Sequence, residues 1–165
     1  MRKVTLLASL LALAAACSSN DDDTTPTCPP DNRECRAAST ASAGKLVIER
    51  RRCEQCHTGP SGTLAGQSTP LAGHPEGIEL YPPNLTPHAT GIAGWTDEQL
   101  ANAIRTGVDR QTLALCPQMK HDDTMTDFEV FSVIKYLRQL DPVEHTIPRS
   151  VCPPLKSKDE QHLGR

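Results

Sequence analysis

Two cysteines and a histidine stand together at Cys53-Glu54-Gln55-Cys56-His57, and no other stretch restricts the fold of this chain as strongly. The pattern is C-x-x-C-H, the spacing at which two thiols on one turn each add to a vinyl group of haem. The imidazole that follows then lies under the iron as an axial ligand. A zinc half-site, a redox dithiol and a structural disulfide are the alternatives. A closed zinc site needs four ligands, usually two such pairs, and the chain holds no second C-x-x-C. A redox dithiol opens a helix after a strand in a βαβ unit, a pattern that is absent here. Covalent haem is the preferred reading.

A haem also answers a difficulty of composition. Only 37% of the 165 residues are hydrophobic and 3% aromatic, thin for a self-sufficient core, and haem is a large flat apolar body. Fourteen prolines and ten glycines argue for irregular chain between few regular elements. The formal charge of −3 excludes a strongly basic nucleic-acid binder. The short run Arg50-Arg51-Arg52 reads as a solvated helix end.

The N-terminus reads as an export signal. Met1-Arg2-Lys3 is positively charged, and residues 4–16 form an apolar run shorter than the ~20 residues that span a bilayer. Ala14-Ala15-Ala16 suits ordinary cleavage, while Leu13-Ala14-Ala15-Ala16-Cys17 resembles a bacterial lipoprotein signal. Both cut after Ala16, and lipidation of Cys17 is the preferred outcome. Cleavage removes two positive charges, Arg2 and Lys3, taking the formal −3 to −5. Residues 17–42, rich in Ser, Thr, Asp and Pro, read as a flexible tether. Residues 43–155 are expected to form the domain, and 156–165 a disordered tail. This places the protein on the periplasmic side of a bacterial membrane, anchored by lipid.

Seven cysteines is an odd count for an exported protein. With Cys17 assigned to lipid and Cys53 and Cys56 to haem, Cys28, Cys35, Cys116 and Cys152 remain. Three pairings are open, and Cys28–Cys35 with Cys116–Cys152 is preferred.

Three main helices are expected. The first covers about 43–52, with Leu46, Val47 and Ile48 as its apolar part. The second opens on the capping box Thr96-Asp97-Glu98-Gln99, presents Leu100, Ala103 and Ile104 on one face, and stops at Gly107. The third opens on the capping box Thr126-Asp127-Phe128-Glu129 and buries Val130, Phe131, Ile134, Leu137 and Leu140. The long stretch 58–95 has few regular signals, and a haem would give it something to wrap. The fold class is therefore all-α, about three main helices with long loops around one covalently bound haem.

From about 43 to 140 the chain resembles the monohaem class I cytochrome c family, in its bacterial, lipoprotein-like form. Cys53, Cys56 and His57 carry the resemblance first. Pro82-Pro83-Asn84-Leu85 is similar to the family's Pro-Asn-Leu segment, which implies that the Pro83 carbonyl accepts the proximal histidine's N–H and orients it. Thr90-Gly91-Ile92-Ala93-Gly94-Trp95 is similar to a glycine-rich run whose tryptophan binds a haem propionate; a core aromatic is the other role for Trp95. Gly44 and Tyr136 resemble the small and aromatic pair where the terminal helices cross.

The resemblance also implies a methionine as the second axial ligand. Met119 stands in that place, 62 residues after His57, and follows Pro117 closely. Met125 is the rival, but it directly precedes the capping Thr126. His74, His88, His121 and His145 read as surface or loop histidines, and an unpaired Cys116 would be a minor rival. A bridge from Cys116 to Cys152 would brace this loop against the chain end. His57 and Met119 together would fill both axial positions of one haem c and raise its reduction potential. The function this implies is one-electron transfer between redox protein partners, donor and acceptor, and not catalysis. Two other readings stand beside a free carrier: a haem c subunit of a periplasmic dehydrogenase or oxidase complex, and a haem peroxidase or sensor with an open distal site. No nucleic acid is expected as a partner; the membrane is, through lipidated Cys17.

Overall fold

The computed structural model describes residue 28 and residues 32–152. The expected signal peptide, the lipidated Cys17 and the tail 156–165 lie outside the described residues. Among the described residues five helices follow in order: α1 (Arg33–Ala38), α2 (Ala41–Arg51), α3 (Glu54–His57), α4 (Asp97–Thr106) and α5 (Asp127–Arg138). Among the described residues there is no strand, only two isolated antiparallel bridges, Glu79 with Val151 and Val108 with Ala114. No helix of the described residues is long and apolar enough to cross a membrane.

The helices start where local chemistry tells them to. Thr96 and Thr126 each accept from the backbone N–H three residues on, while Gln99 and Glu129 reach back to the capping residue's own N–H. Each reciprocal pair satisfies two donors that the first turn would otherwise leave open. Thr40 caps α2 through a bond from the Ala43 N–H at 3.1 Å. Gly107, with φ of 69°, ends α4 in the left-handed conformation.

α2 and α5 cross at Gly44. A β-carbon there would overlap the carbonyl of Ser132 and come within 2.8 Å of the Val133 nitrogen, so the backbones meet directly. Around this crossing Val47, Ile48, Leu100, Val130, Phe131, Ile134 and Leu137 form the core. Leu46, expected inside, is 64% exposed. At 100° per residue it lies about 200° round the helix from Gly44, on the far side from α5.

A further sequence-based expectation needs correction. The tether assigned to 17–42 gives way to ordered chain at 32–42. Asn32 caps α1 through bonds from Glu34 and Cys35, and the Cys28–Cys35 disulfide closes the turn before it. Arg36 then lies over the Phe131 ring at 3.9 Å, with Asp127 3.5 Å away. These contacts bind α1 to α5, and composition alone does not show them.

The arginine run ends α2 as expected, with Arg50 and Arg52 exposed, and it is also paired. Arg51 pairs with Asp122 and Glu129, and Arg50 with Glu129. The end of α2 is thus joined by charge to α5 and the loop before it. Asp127, wholly buried, pairs with Arg105 at 2.8 Å, and Arg105 also donates to the Met125 carbonyl. Buried charge is tolerated because each carboxylate finds a guanidinium.

Substituting Gly44→Ala in the mature protein should lower stability by about 2–3 kcal/mol, the cost of overpacking a closed contact. Lys45→Ala, at an exposed position, should stay within about 0.5 kcal/mol. Urea unfolding followed by circular dichroism distinguishes the two, and equal midpoints would contradict the crossing.

Candidate functional site

Arg52 turns the chain into the site. It takes a left-handed conformation, φ 58° and ψ 35°, which ends α2 and sends Cys53 back over it. Cys53 then packs against the edge of the core, and α3 carries Gln55, Cys56 and His57 through one turn. Cys53 is half-buried and Cys56 exposed, and both thiols are free. The other four described cysteines form the bridges Cys28–Cys35 and Cys116–Cys152.

His57 is buried, and its Nδ1 lies 3.1 Å from the carbonyl oxygen of Pro83. A carbonyl only accepts, so Nδ1 carries the proton and Nε2 keeps its lone pair. Burial lowers the imidazole's pKa from its ordinary value, and the bond to Pro83 opposes that shift in part. The ring is therefore neutral at pH 7, as ligation of a metal requires. Burial also raises the Cys53 thiol, with the charge of Glu54 adding to the effect. A redox dithiol depends on a depressed thiol pKa, the opposite of the direction at Cys53.

The loop opposite is pinned to α3 by hydrogen bonds. Gly66 N–H donates to the His57 carbonyl at 2.9 Å, Gln67 N–H to Pro82 at 3.0 Å and Leu85 N–H to Leu64 at 2.9 Å. Gln67 Nε2 also donates to the Cys56 carbonyl at 2.9 Å. Gly66, φ 76°, lies so close to Pro83 and Asn84 that a β-carbon would stand 2.8 Å from the Asn84 nitrogen. Next to Pro83, Asn84 is 2% exposed and uses both ends of its amide. It accepts from the Thr86 N–H at 2.9 Å and hydroxyl at 2.7 Å, and donates to the Val143 carbonyl at 2.8 Å and to Thr90 at 3.1 Å. The Pro83 carbonyl is thus aimed by its neighbour. Asn84 was singled out from the sequence only as part of the Pro82-Pro83-Asn84-Leu85 segment, and Gln67 not at all, because its partners Cys56 and Pro82 are distant in the chain.

Cys53, Cys56, His57 and Pro83 come together in this way. Trp95 stands apart at the rim of the core. Its carbonyl accepts from Arg138 at 2.6 Å, and the guanidinium of Arg110 lies 5.5 Å from the centre of its ring. Arg110, also bonded to the Gly94 carbonyl at 3.0 Å, adds a cation beside Trp95 that sequence reasoning passed over. Met119 is half-buried in the loop between α4 and α5; Met125, at 2% exposed, is packed inside the core. No hydrogen bond joins Met119 or Trp95 to the Cys53–His57 turn among the described residues.

The donor set fits haem attached through two thioethers. Two free thiols and a neutral imidazole share one turn, and the imidazole's second nitrogen is already committed to a carbonyl. Oriented in this way, an imidazole is a stronger and better-directed ligand.

No family model matches the chain. It is similar to the fructose dehydrogenase cytochrome subunit of Gluconobacter japonicus, 32% identical over 121 residues, which are 68% of this chain and 24% of that protein. The chain thus spans about a quarter of the length of the relative it matches.

Replacing Asn84 tests how the Pro83 carbonyl is held. Asn84→Ala removes the shorter bonds of the half-buried Val143 carbonyl and the buried Thr86 hydroxyl, leaving them a 3.4 Å contact with each other, and should cost about 2 kcal/mol. Asn84→Asp keeps the acceptor but sets a buried carboxylate oxygen against the Val143 carbonyl, and should cost at least as much in denaturant unfolding. A loss below about 0.5 kcal/mol for Asn84→Ala would show that the network does not hold the loop.

Proposed function

We propose that this chain transfers single electrons through one haem c as a subunit of a dehydrogenase complex. The observation that carries this reading is the turn on which two free thiols flank a neutral, buried His57 held by Pro83. The relative's name supports the subunit role over that of a free carrier, since that protein is a cytochrome subunit of a dehydrogenase. In this reading the chain is the relay and the partner does the substrate chemistry.

Bound haem supplies a one-electron Fe(II)/Fe(III) couple. Cys53 and Cys56 fix it covalently, so it cannot be lost to solvent or to another protein. His57 offers Nε2 from one side, and Pro83 keeps the ring from rotating. Met119 would be the second residue to hold the iron: its loop is partly exposed, whereas Met125 is already used in the core beside Arg105. A thioether favours the reduced state and raises the potential. With His57 and Met119 both holding the iron, the haem would have no place for substrate and would supply outer-sphere electron transfer. The indole N–H of Trp95 and the guanidinium of Arg110 beside it would suit the haem propionates. Export and a lipid on Cys17 complete the proposal, and two disulfides fit an oxidising compartment.

The oxidised holoprotein should be low-spin and show the weak methionine-to-iron absorption band. Met119→Ala should abolish that band and give a high-spin or solvent-ligated ferric spectrum, while Met125→Leu should keep it. A band that survives Met119→Ala, or a wild type without one, would overturn the ligand assignment. Purification from native membranes in mild detergent should bring a dehydrogenase subunit with it; recovery of the chain alone at full yield would favour the free carrier.

A further inference from the structure

Beyond α5 the described chain folds back as an irregular strap, residues 141–152, over the loop that bears Pro83. Val143 bonds Asn84 at 2.8 Å through its carbonyl and Thr86 at 3.1 Å through its N–H. His145 donates from its backbone to Thr90 at 3.1 Å and from Nδ1 to the Ala65 carbonyl at 2.9 Å. Ser150 accepts from the Tyr81 N–H at 2.8 Å. Val151 exchanges two bonds with Glu79, at 2.9 and 2.8 Å. The strap ends at Cys152, and Cys152 is bridged to Cys116.

Cys116 is where the strap reaches the Met119 turn. Met119 N–H donates to the Cys116 carbonyl at 3.0 Å. Among the described residues, no other hydrogen bond is made by chain positions 116–121. Pro117, Gln118, Lys120 and His121 are exposed. Leu115, bonded to Gly107, and Asp122, bonded to Ile104, secure only the two ends of this segment. The disulfide is thus the one covalent tie between the Met119 turn and the loop that orients His57.

We propose that Cys116 and Cys152 are positioning residues for Met119. Their bridge carries the rigidity of the Pro83–Asn84 loop, through the strap, to the opposite axial ligand. With the bridge closed, Met119 is confined near its bonding position and small neutral ligands are kept from the iron. With it open, the turn keeps a single internal hydrogen bond, Met119 leaves more often, and the sixth position becomes accessible. This inference rests on Met119 being the axial ligand, as proposed above.

Carbon monoxide binding to the ferrous holoprotein reads this directly, because carbon monoxide enters only when the methionine has left. Ascorbate reduces the haem and spares the disulfides; a trialkylphosphine reduces both. For each bridge the phosphine gives up two electrons, and water supplies the oxygen of the phosphine oxide and the two thiol protons. The phosphine-treated protein should bind carbon monoxide at least about tenfold faster than the ascorbate-reduced one, given the entropy a closed bridge removes. The double variant Cys116→Ser/Cys152→Ser should bind fast under ascorbate alone. Cys28→Ser/Cys35→Ser should remain slow until the phosphine is added. If the double variant fails to fold, the two reductants on wild type still decide the matter.

Equal rates with and without phosphine, with the opened thiols verified by alkylation, would overturn the proposal. A merely structural brace would lower the unfolding midpoint and leave the rate unchanged. Fast binding by ascorbate-reduced wild type whose oxidised form lacks the methionine band would instead overturn the Met119 assignment itself.

Discussion

The crossing of α2 and α5 at Gly44 is the contact on which the rest of the chain depends. Only a residue without a β-carbon lets these backbones touch, and that approach brings Val47 and Ile48 onto Val130, Ile134 and Leu137. The direction of α2 then sets where Arg52 reverses the chain, and Arg52 sets where Cys53 and His57 lie. Charge supports the same geometry from outside the core. Arg50 and Arg51 tie the end of α2 to Glu129 at the start of α5, and Arg36 and Arg105 converge on Asp127. The frame of the site is rigid because apolar packing and ion pairs select the same arrangement.

The loops meet a different requirement. They must be ordered without strands, so their backbone groups need partners from side chains and from distant chain. Asn84 and Thr86, both buried, provide those partners at the centre, and the strap 141–152 provides them along the edge. A long irregular loop becomes a fixed support for one carbonyl, that of Pro83. The carbonyl in turn selects one tautomer of His57, and with it the nitrogen free to bind. Local order here serves chemistry directly.

What the sequence made legible was whatever depends on neighbouring residues. The capping boxes at Thr96 and Thr126 involve four consecutive residues each, and both helices begin one residue after the cap. The preferred disulfide pairing is the one present. What could not be read depends on distant partners. α1 exists because Cys35 is bridged and Arg36 finds Phe131, 95 positions away, so composition suggested only a tether. Leu46 looked like core because it adjoins Val47 and Ile48, yet the helix turns it outward. Within the site, the C-x-x-C-H turn announced itself, and Pro83 entered through its resemblance to a familiar segment. Asn84 entered only as part of that segment, while Gln67 and Arg110 act across loops and left no local signal.

Mass analysis of the proteolytic peptide that contains Cys53 to His57, from protein purified out of its native host, tests the central claim most directly. The account predicts a single peptide heavier by one haem, with neither cysteine open to alkylation. Two freely alkylated thiols and no added haem mass would contradict it.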